Sequence, residues 1–231
     1  AMAAGVDKLF LPNIDEGSIA GMLDLEARYP EHIYAMMGIH PCYVKEEVEE
    51  QLDLVKAWLQ QRSFSAIGEI GLDFYWDKSL LIQQYKAFQE QLVLARDYGL
   101  PVSIHSREAT RECIHEVKGL QDGRLSGVFH CFSGTLEEAR ELIDLGFYLG
   151  IGGVVTFKKS GLDKLLEQID LAHIVMETDA PYLAPVPYRG KRNESAYLPL
   201  AGEKVADIKN LKIEEVAAIT SSNARKLFKM L

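Results

Sequence analysis

The chain has 231 residues, 48% hydrophobic and 26% charged, with a net charge of −9 and a pI near 5.2; this is a globular composition that excludes a disordered or fibrous chain, and its acidity excludes capture of a polyanion through a broad basic surface. No apolar run reaches the ~18 residues of a membrane-spanning helix, nothing in the first residues given resembles a cleavable signal, and Cys42, Cys113 and Cys131 form no Cys-x-x-Cys pair. A soluble cytoplasmic protein with reduced thiols and no membrane partner is expected.

In chain order, aliphatic and β-branched runs predict strands at Lys8–Ile14, Ile33–Ile39, Ala66–Leu72, Pro101–Ile104, Gly127–Phe129, Tyr148–Phe157 and Ile174–Glu177. Helical periodicity fills the intervals at Glu16–Tyr29, Lys45–Gln61, Ser79–Tyr98, Ala109–Gly119, Leu136–Leu145, Gly161–Ile169, Leu200–Asn210 and Ile213–Met230. The clearest stripe is Leu81, Tyr85, Phe88, Leu92 and Ala95. Non-alternating apolar strands separated by helices imply a parallel sheet covered on both faces. With no linker or low-complexity stretch, residues 1–231 are expected to form a single domain.

The polar residues choose between the parallel folds. His40, Glu69, His105, His130 and Asp179 each follow an apolar run, so each is expected at the C-terminal end of a different strand. Groups delivered from several strand ends suit a TIM-type barrel. A doubly wound sheet would concentrate them at one switch point, usually with a Gly-rich turn that is absent here. The expected fold is therefore α/β, a distorted TIM-type (β/α) barrel.

A single strand histidine is ordinarily a hydrogen-bonded core residue. Glu69, His105, His130 and Asp179 together are different, because buried carboxylates left ionised are costly unless a cation accompanies them. Two imidazoles and two carboxylates suit zinc, manganese or iron, with magnesium possible if further oxygen ligands join. Cys131 is expected to pack between strand and helix, facing away from its neighbour His130. His32, His115 and His173, in or near helices, are expected to be structural. His40, beside a rigid proline, is a candidate for lining the pocket.

At these positions the sequence resembles the TatD family of metal-dependent hydrolases. The matching segments are Gly38-Ile-His-Pro, Gly68-Glu-Ile-Gly-Leu-Asp, Ile104-His-Ser-Arg, Phe129-His-Cys-Phe-Ser-Gly, Glu177-Thr-Asp-Ala-Pro-Tyr-Leu, Arg189-Gly-Lys-Arg-Asn-Glu and Asn223-Ala-Arg-Lys-Leu-Phe, in the family's order. The resemblance implies a deoxyribonuclease of 3′ to 5′ exonuclease type with two divalent ions, zinc, manganese or magnesium. It implies that Glu69 bridges the ions, that His105 and His130 hold one, and that Asp179 holds the other and orients a water, making Glu69 and Asp179 the catalytic carboxylates.

The family's opening His-x-His is not found in Ala1-Met-Ala-Ala-Gly-Val, and only seven strands can be counted where a closed barrel has eight. The first strand is therefore expected to be missing from these residues, with Ala1–Ala4 as the tail of a helix stopped by Gly5. Roughly 20 to 30 further residues, the size of a βα unit, would supply it.

Arg189, Lys191 and Arg192 form the densest basic cluster, on a loop after the Asp179 strand. With Arg107, whose forked donors match a phosphate, and His40, Arg189 and Lys191 are candidate substrate contacts. A few cations suit a DNA end or short single strand better than duplex reading. Two rivals share these residues: ester or amide hydrolysis, as in deacylation of an aminoacyl-tRNA, and a degenerate barrel that binds nucleotides without turnover.

Overall fold

The computed structural model describes residues 1–230. Its seven strands follow one another in sheet order as they do in sequence, β1-β2-β3-β4-β5-β6-β7. An order with no reversal is that of a (β/α)-barrel sheet and not of a doubly wound one. The chain divides into two compact units, Lys8–Val128, and Ala1–Asp7 with the segment from Phe129 onward.

The unit Lys8–Val128 carries β1 (Leu9–Pro12), α1 (Glu16–Arg28), β2 (Ile33–Met37), α2 (Val48–Gln61), β3 (Ala66–Asp73), α3 (Leu81–Tyr98), β4 (Val102–Arg107) and α4 (Thr110–Leu120), and most of β5 (Gly127–Phe129). Parallel ladders join β1 to β2, β2 to β3 and β3 to β4. Asp15 starts α1 by accepting from the Ser18 amide, completing a capping box that an Asp-x-x-Ser sequence can form. Gly99 ends α3 in the left-handed conformation.

The buried face of α3 differs from the predicted stripe. It comprises Gln84, Ala87, Phe88, Gln91, Leu92 and Ala95, while Leu81 and Tyr85 stay partly exposed. The two glutamines are inside because strand ends need partners. Gln84 Oε1 accepts from the Asp73 amide, and Gln91 accepts from the Ile39 amide and donates to the Ile39 carbonyl. Buried main-chain groups left unpaired would cost more than placing an amide side chain there.

β3 is buried along its full length, and its pairing with β4 slips in the middle. Ile67 is opposite Val102 and Ile70 opposite Ile104, so Gly68 and Glu69 together face Ser103. Such a bulge re-aims a side chain and releases its amide from the ladder. The Glu69 amide donates instead to the Asn13 carbonyl, 2.9 Å away. Two residues on, Gly71 lies at φ 133°, and a Cβ there would come within 2.0 Å of the His105 carbonyl oxygen. Gly71→Ala is expected to destabilise the protein by about 3 kcal/mol or more. A lowered urea midpoint at unchanged m-value would show this, and an unchanged midpoint would remove the close-approach argument.

The second unit carries α5 (Leu136–Asp144), β6 (Phe147–Ile151), α6 (Leu162–Leu166), β7 (Ile174–Met176), α7 (Leu198–Lys209) and α8 (Ile213–Leu227), with β6 and β7 parallel. Met2–Ala4 form a 3-10 turn ended by Gly5 at φ 81°, matching the predicted stop. The predicted strand Tyr148–Phe157 is shorter than expected. It ends at Ile151 and gives way to a 3-10 turn, Gly153–Thr156, where the Thr156 hydroxyl donates to the Gly153 carbonyl and accepts from the Val186 amide. Asn223 of α8 donates to the Leu171 and Ile174 carbonyls and so ties the start of β7. Among the described residues no helix is long and apolar enough to cross a membrane, and all three cysteines are free thiols.

Candidate metal centre

In the unit Lys8–Val128, three of the singled-out residues come together. Ligand atoms of His40, Glu69 and His105 lie within 4.8 Å of one another. Glu69 is not at a strand end, as the sequence suggests, but in the middle of β3, where the bulge presents it. It is 7% exposed, and its Oε1 lies 3.1 Å from His105 Nδ1 and 3.3 Å from His40 Nε2. His105 sits inside β4, and His40 three residues beyond β2.

The second nitrogen of each ring separates the two histidines. His105 Nε2 is 2.9 Å from Asp73 Oδ2, and in the neutral ring that donates Nε2–H to this carboxylate, Nδ1 turns a lone pair toward Glu69. A lone pair facing a carboxylate at this distance is relieved by a cation bound to both, and the carboxylate–histidine pair is the usual support of a metal ligand. His40 is arranged in the opposite sense. Its Nδ1 accepts from the Cys42 amide at 3.1 Å, which leaves the proton on Nε2 and makes it a donor. Glu69 and His105 thus fit a divalent ion, whereas His40 is set to hydrogen-bond an oxygen.

Asp73 is the residue that sequence reading passes over. Burial opposes its ionisation, but the hydrogen bond from His105 and those from the Trp76 and Tyr75 amides outweigh it, holding the carboxyl well below its ordinary range. Its occurrence four residues after Glu69 in Gly68-Glu-Ile-Gly-Leu-Asp is the signal that could have found it. Cys42, although an exposed residue, has its thiol pushed up to about 12, first by desolvation and then by the Asp73 charge, so it offers no thiolate at neutral pH. Asp73→Asn is expected to weaken metal affinity about 10- to 100-fold while the protein still folds. Calorimetric titration of the variant with manganese or zinc checks this, and unchanged affinity would remove the supporting role.

Arg107, the last residue of β4, is exposed, with its guanidinium 3.7 Å from the centroid of the Tyr75 ring and 5.3 Å from that of Trp76.

In the second unit, His130 directly follows β5, with Nδ1 3.8 Å from Glu177 Oε2. The other Glu177 oxygen accepts from the Cys131 amide at 2.6 Å. Glu177 can approach because residue 150 is glycine; a Cβ there would lie 2.5 Å from Glu177 Oε2. Cys131 departs from expectation. It lies beyond the strand at φ 47°, so strand alternation does not set its direction, and its amide serves to fix Glu177.

Asp179 lies three residues beyond β7 at φ 53°, partly buried. Its loop is clamped by Asn193, which is 2% exposed and donates through Nδ2 to the Thr178 and Tyr182 carbonyls, each at 2.6 Å, while its amide donates to the Pro181 carbonyl. The Arg189-Gly-Lys-Arg-Asn segment therefore has a structural anchor besides its charges. Arg189 lies over the Phe157 ring at 4.4 Å, and Lys191 is 6.0 Å from the Tyr188 ring, which stacks on Tyr197 at 4.2 Å.

The chain and its fold have counterparts among known proteins. The profile of the TatD-related DNase family matches residues 1–229. The metal-dependent hydrolase YabD of Bacillus subtilis is 37% identical over 100% of this chain and 90% of its own length. The 3′-5′ ssDNA/RNA exonuclease TatD of Salmonella typhimurium is 36% identical over 100% of this chain and 91% of its own. Among solved structures, the TatD homologue YjjV of Escherichia coli superposes with a TM-score of 0.91 at 30% identity, covering 98% of this chain and 88% of that one. A full-length profile match joined to relatives above 30% identity places the chain in the TatD-related DNase family of (β/α)-barrel metal-dependent hydrolases.

Proposed function

We propose that the protein hydrolyses phosphodiester bonds at the 3′ end of single-stranded nucleic acid in the cytoplasm, as one hydrolase domain, using Glu69, His105, His130 and Asp179 as ligands of two divalent ions. The observation that carries this reading is the Glu69–His105–Asp73 array, in which a buried carboxylate lies 3.1 Å from one imidazole nitrogen while the other is paired with a second carboxylate at 2.9 Å. The name of the Salmonella relative supports the choice of substrate and polarity. When bound, divalent ions supply a lowered water pKa and positive charge opposite a departing oxygen.

The chain's own residues do the rest. His40 Nε2–H donates to a phosphate oxygen. Asp179 accepts the proton of the attacking water at its carboxylate. Arg107 and Lys191 hold flanking phosphates, which suits a protein whose net charge of −9 gives it no general attraction for the polymer.

The test is a metal-supplemented assay offering labelled single-stranded DNA, duplex DNA, RNA and an aminoacyl ester side by side. Stepwise shortening of the single strands from the 3′ end is expected. Turnover of the aminoacyl ester alone would assign the site to carbonyl chemistry, and binding of nucleotides without turnover of any substrate would make the barrel a non-catalytic one. Lys191→Ala is expected to raise KM and to reduce the slope of log affinity against log salt by about 0.7, the value for one single-strand phosphate contact. An unchanged slope would return the basic loop to the role of a solvated surface.

A further inference from the structure

The segment between β3 and α3 carries two aromatic rings that no core claims. Tyr75 is 48% and Trp76 67% exposed, and the rings meet edge to face at 4.9 Å. The Arg107 guanidinium rests on both, and no salt bridge to it occurs among the described residues. Exposed hydrophobic residues scattered singly need no explanation, but here two adjoining rings and a cation make one joined surface.

The platform is fastened to the metal centre by one side chain. Asp73 Oδ1 accepts from the Tyr75 and Trp76 amides at 2.9 and 3.1 Å, while its Oδ2 pairs with His105 Nε2 at 2.9 Å. The Phe74 amide donates to the Arg107 carbonyl at 2.9 Å, and Asp73 is paired with Arg107 across the ladder. The same carboxylate therefore fixes both the orientation of the candidate ligand His105 and the position of the rings.

We infer that Trp76, Tyr75 and Arg107 form a stacking subsite for an unpaired nucleobase, with the guanidinium free to hold the adjoining phosphate. This rests on the nucleic-acid reading above and adds to it the feature that selects single strands. A base inside a duplex has both faces covered by its neighbours, whereas an unpaired base offers a π-face to an indole whatever its identity. The subsite is accordingly tolerant of sequence and selective for strand state. The two rings with one cation match a base with its phosphate better than a bare anion, which would need no aromatic surface.

The experiment compares wild type, Trp76→Ala and Trp76→Phe by fluorescence anisotropy with a short labelled oligothymidylate, in EDTA so that binding is read without turnover. A matched oligonucleotide carries abasic residues at its 3′ end. Trp76→Ala is expected to weaken binding of the normal strand roughly tenfold to a hundredfold, Trp76→Phe to retain most of it, and the abasic strand to bind wild type and Trp76→Ala alike. Circular dichroism verifies that the variants fold, as substitution at an exposed ring should allow. If all three proteins bind both strands equally, while wild type with metal still shortens single-stranded DNA, the subsite is overturned and the nuclease reading stands. If binding depends on Trp76 and on the base but no metal supports hydrolysis, the nuclease reading fails and the subsite stands. Absence of both binding and hydrolysis by wild type overturns both.

Discussion

Glu69→Gln is expected to abolish the stabilisation that divalent metal gives the protein and to lower hydrolysis by at least two orders of magnitude. Glu69 is buried, and its oxygen faces the lone pair of His105 Nδ1 at 3.1 Å. The amide is the same size, but it turns an N–H toward that lone pair and satisfies it without a cation. The variant therefore relieves the electrostatic cost that metal binding otherwise removes. Wild type at a metal concentration a hundredfold above Kd should gain about 2.7 kcal/mol of stability, and Glu69→Gln almost none. Thermal unfolding with and without manganese measures both. A variant that keeps the full metal-dependent rise in Tm would show that Glu69 is not a ligand.

Asp179→Asn should leave the fold and KM nearly unchanged and lower kcat by roughly 10²- to 10⁴-fold, the usual scale for loss of a proton acceptor. The substitution is a clean one for a local reason. Asp179 lies at φ 53°, a conformation that asparagine tolerates as well as any non-glycine residue, and the loop is held through the main chain by Asn193 rather than through residue 179 alone. Single-turnover kinetics on labelled single-stranded DNA separate binding from chemistry. Near-wild-type turnover would exclude Asp179 as the group that takes the proton.

Much of this fold is legible in the amino-acid sequence. The seven strands fall where aliphatic runs predict them, and the left-handed stop at Gly5 follows from its sequence position. The ordered motifs, from Gly38-Ile-His-Pro to Asn223-Ala-Arg, identify the family from the sequence alone, and the full-length comparisons agree. The errors have specific causes. Hydropathy extends the strand from Tyr148 to Phe157 because it does not register the turn that Thr156 closes. In α3 the stripe holds at Phe88, Leu92 and Ala95 but not at Leu81 and Tyr85, and a periodicity count discards Gln84 and Gln91, which are buried to serve strand ends.

Sequence by itself determined the order of strands and helices, the residue types available for a metal, and the family. These depend on local apolar periodicity and on short motifs, which neighbouring residues carry without reference to the rest of the chain. Only the tertiary structure decided how the ligands are presented. Glu69 projects because β3 slips by one residue against β4, His105 acquires its tautomer from a carboxylate 32 residues earlier in the chain, and Asn193 reaches back 15 residues to hold the Asp179 loop. Each of these is a hydrogen bond or register between segments far apart in sequence, so no local pattern encodes it, and it exists only once the strands have packed side by side.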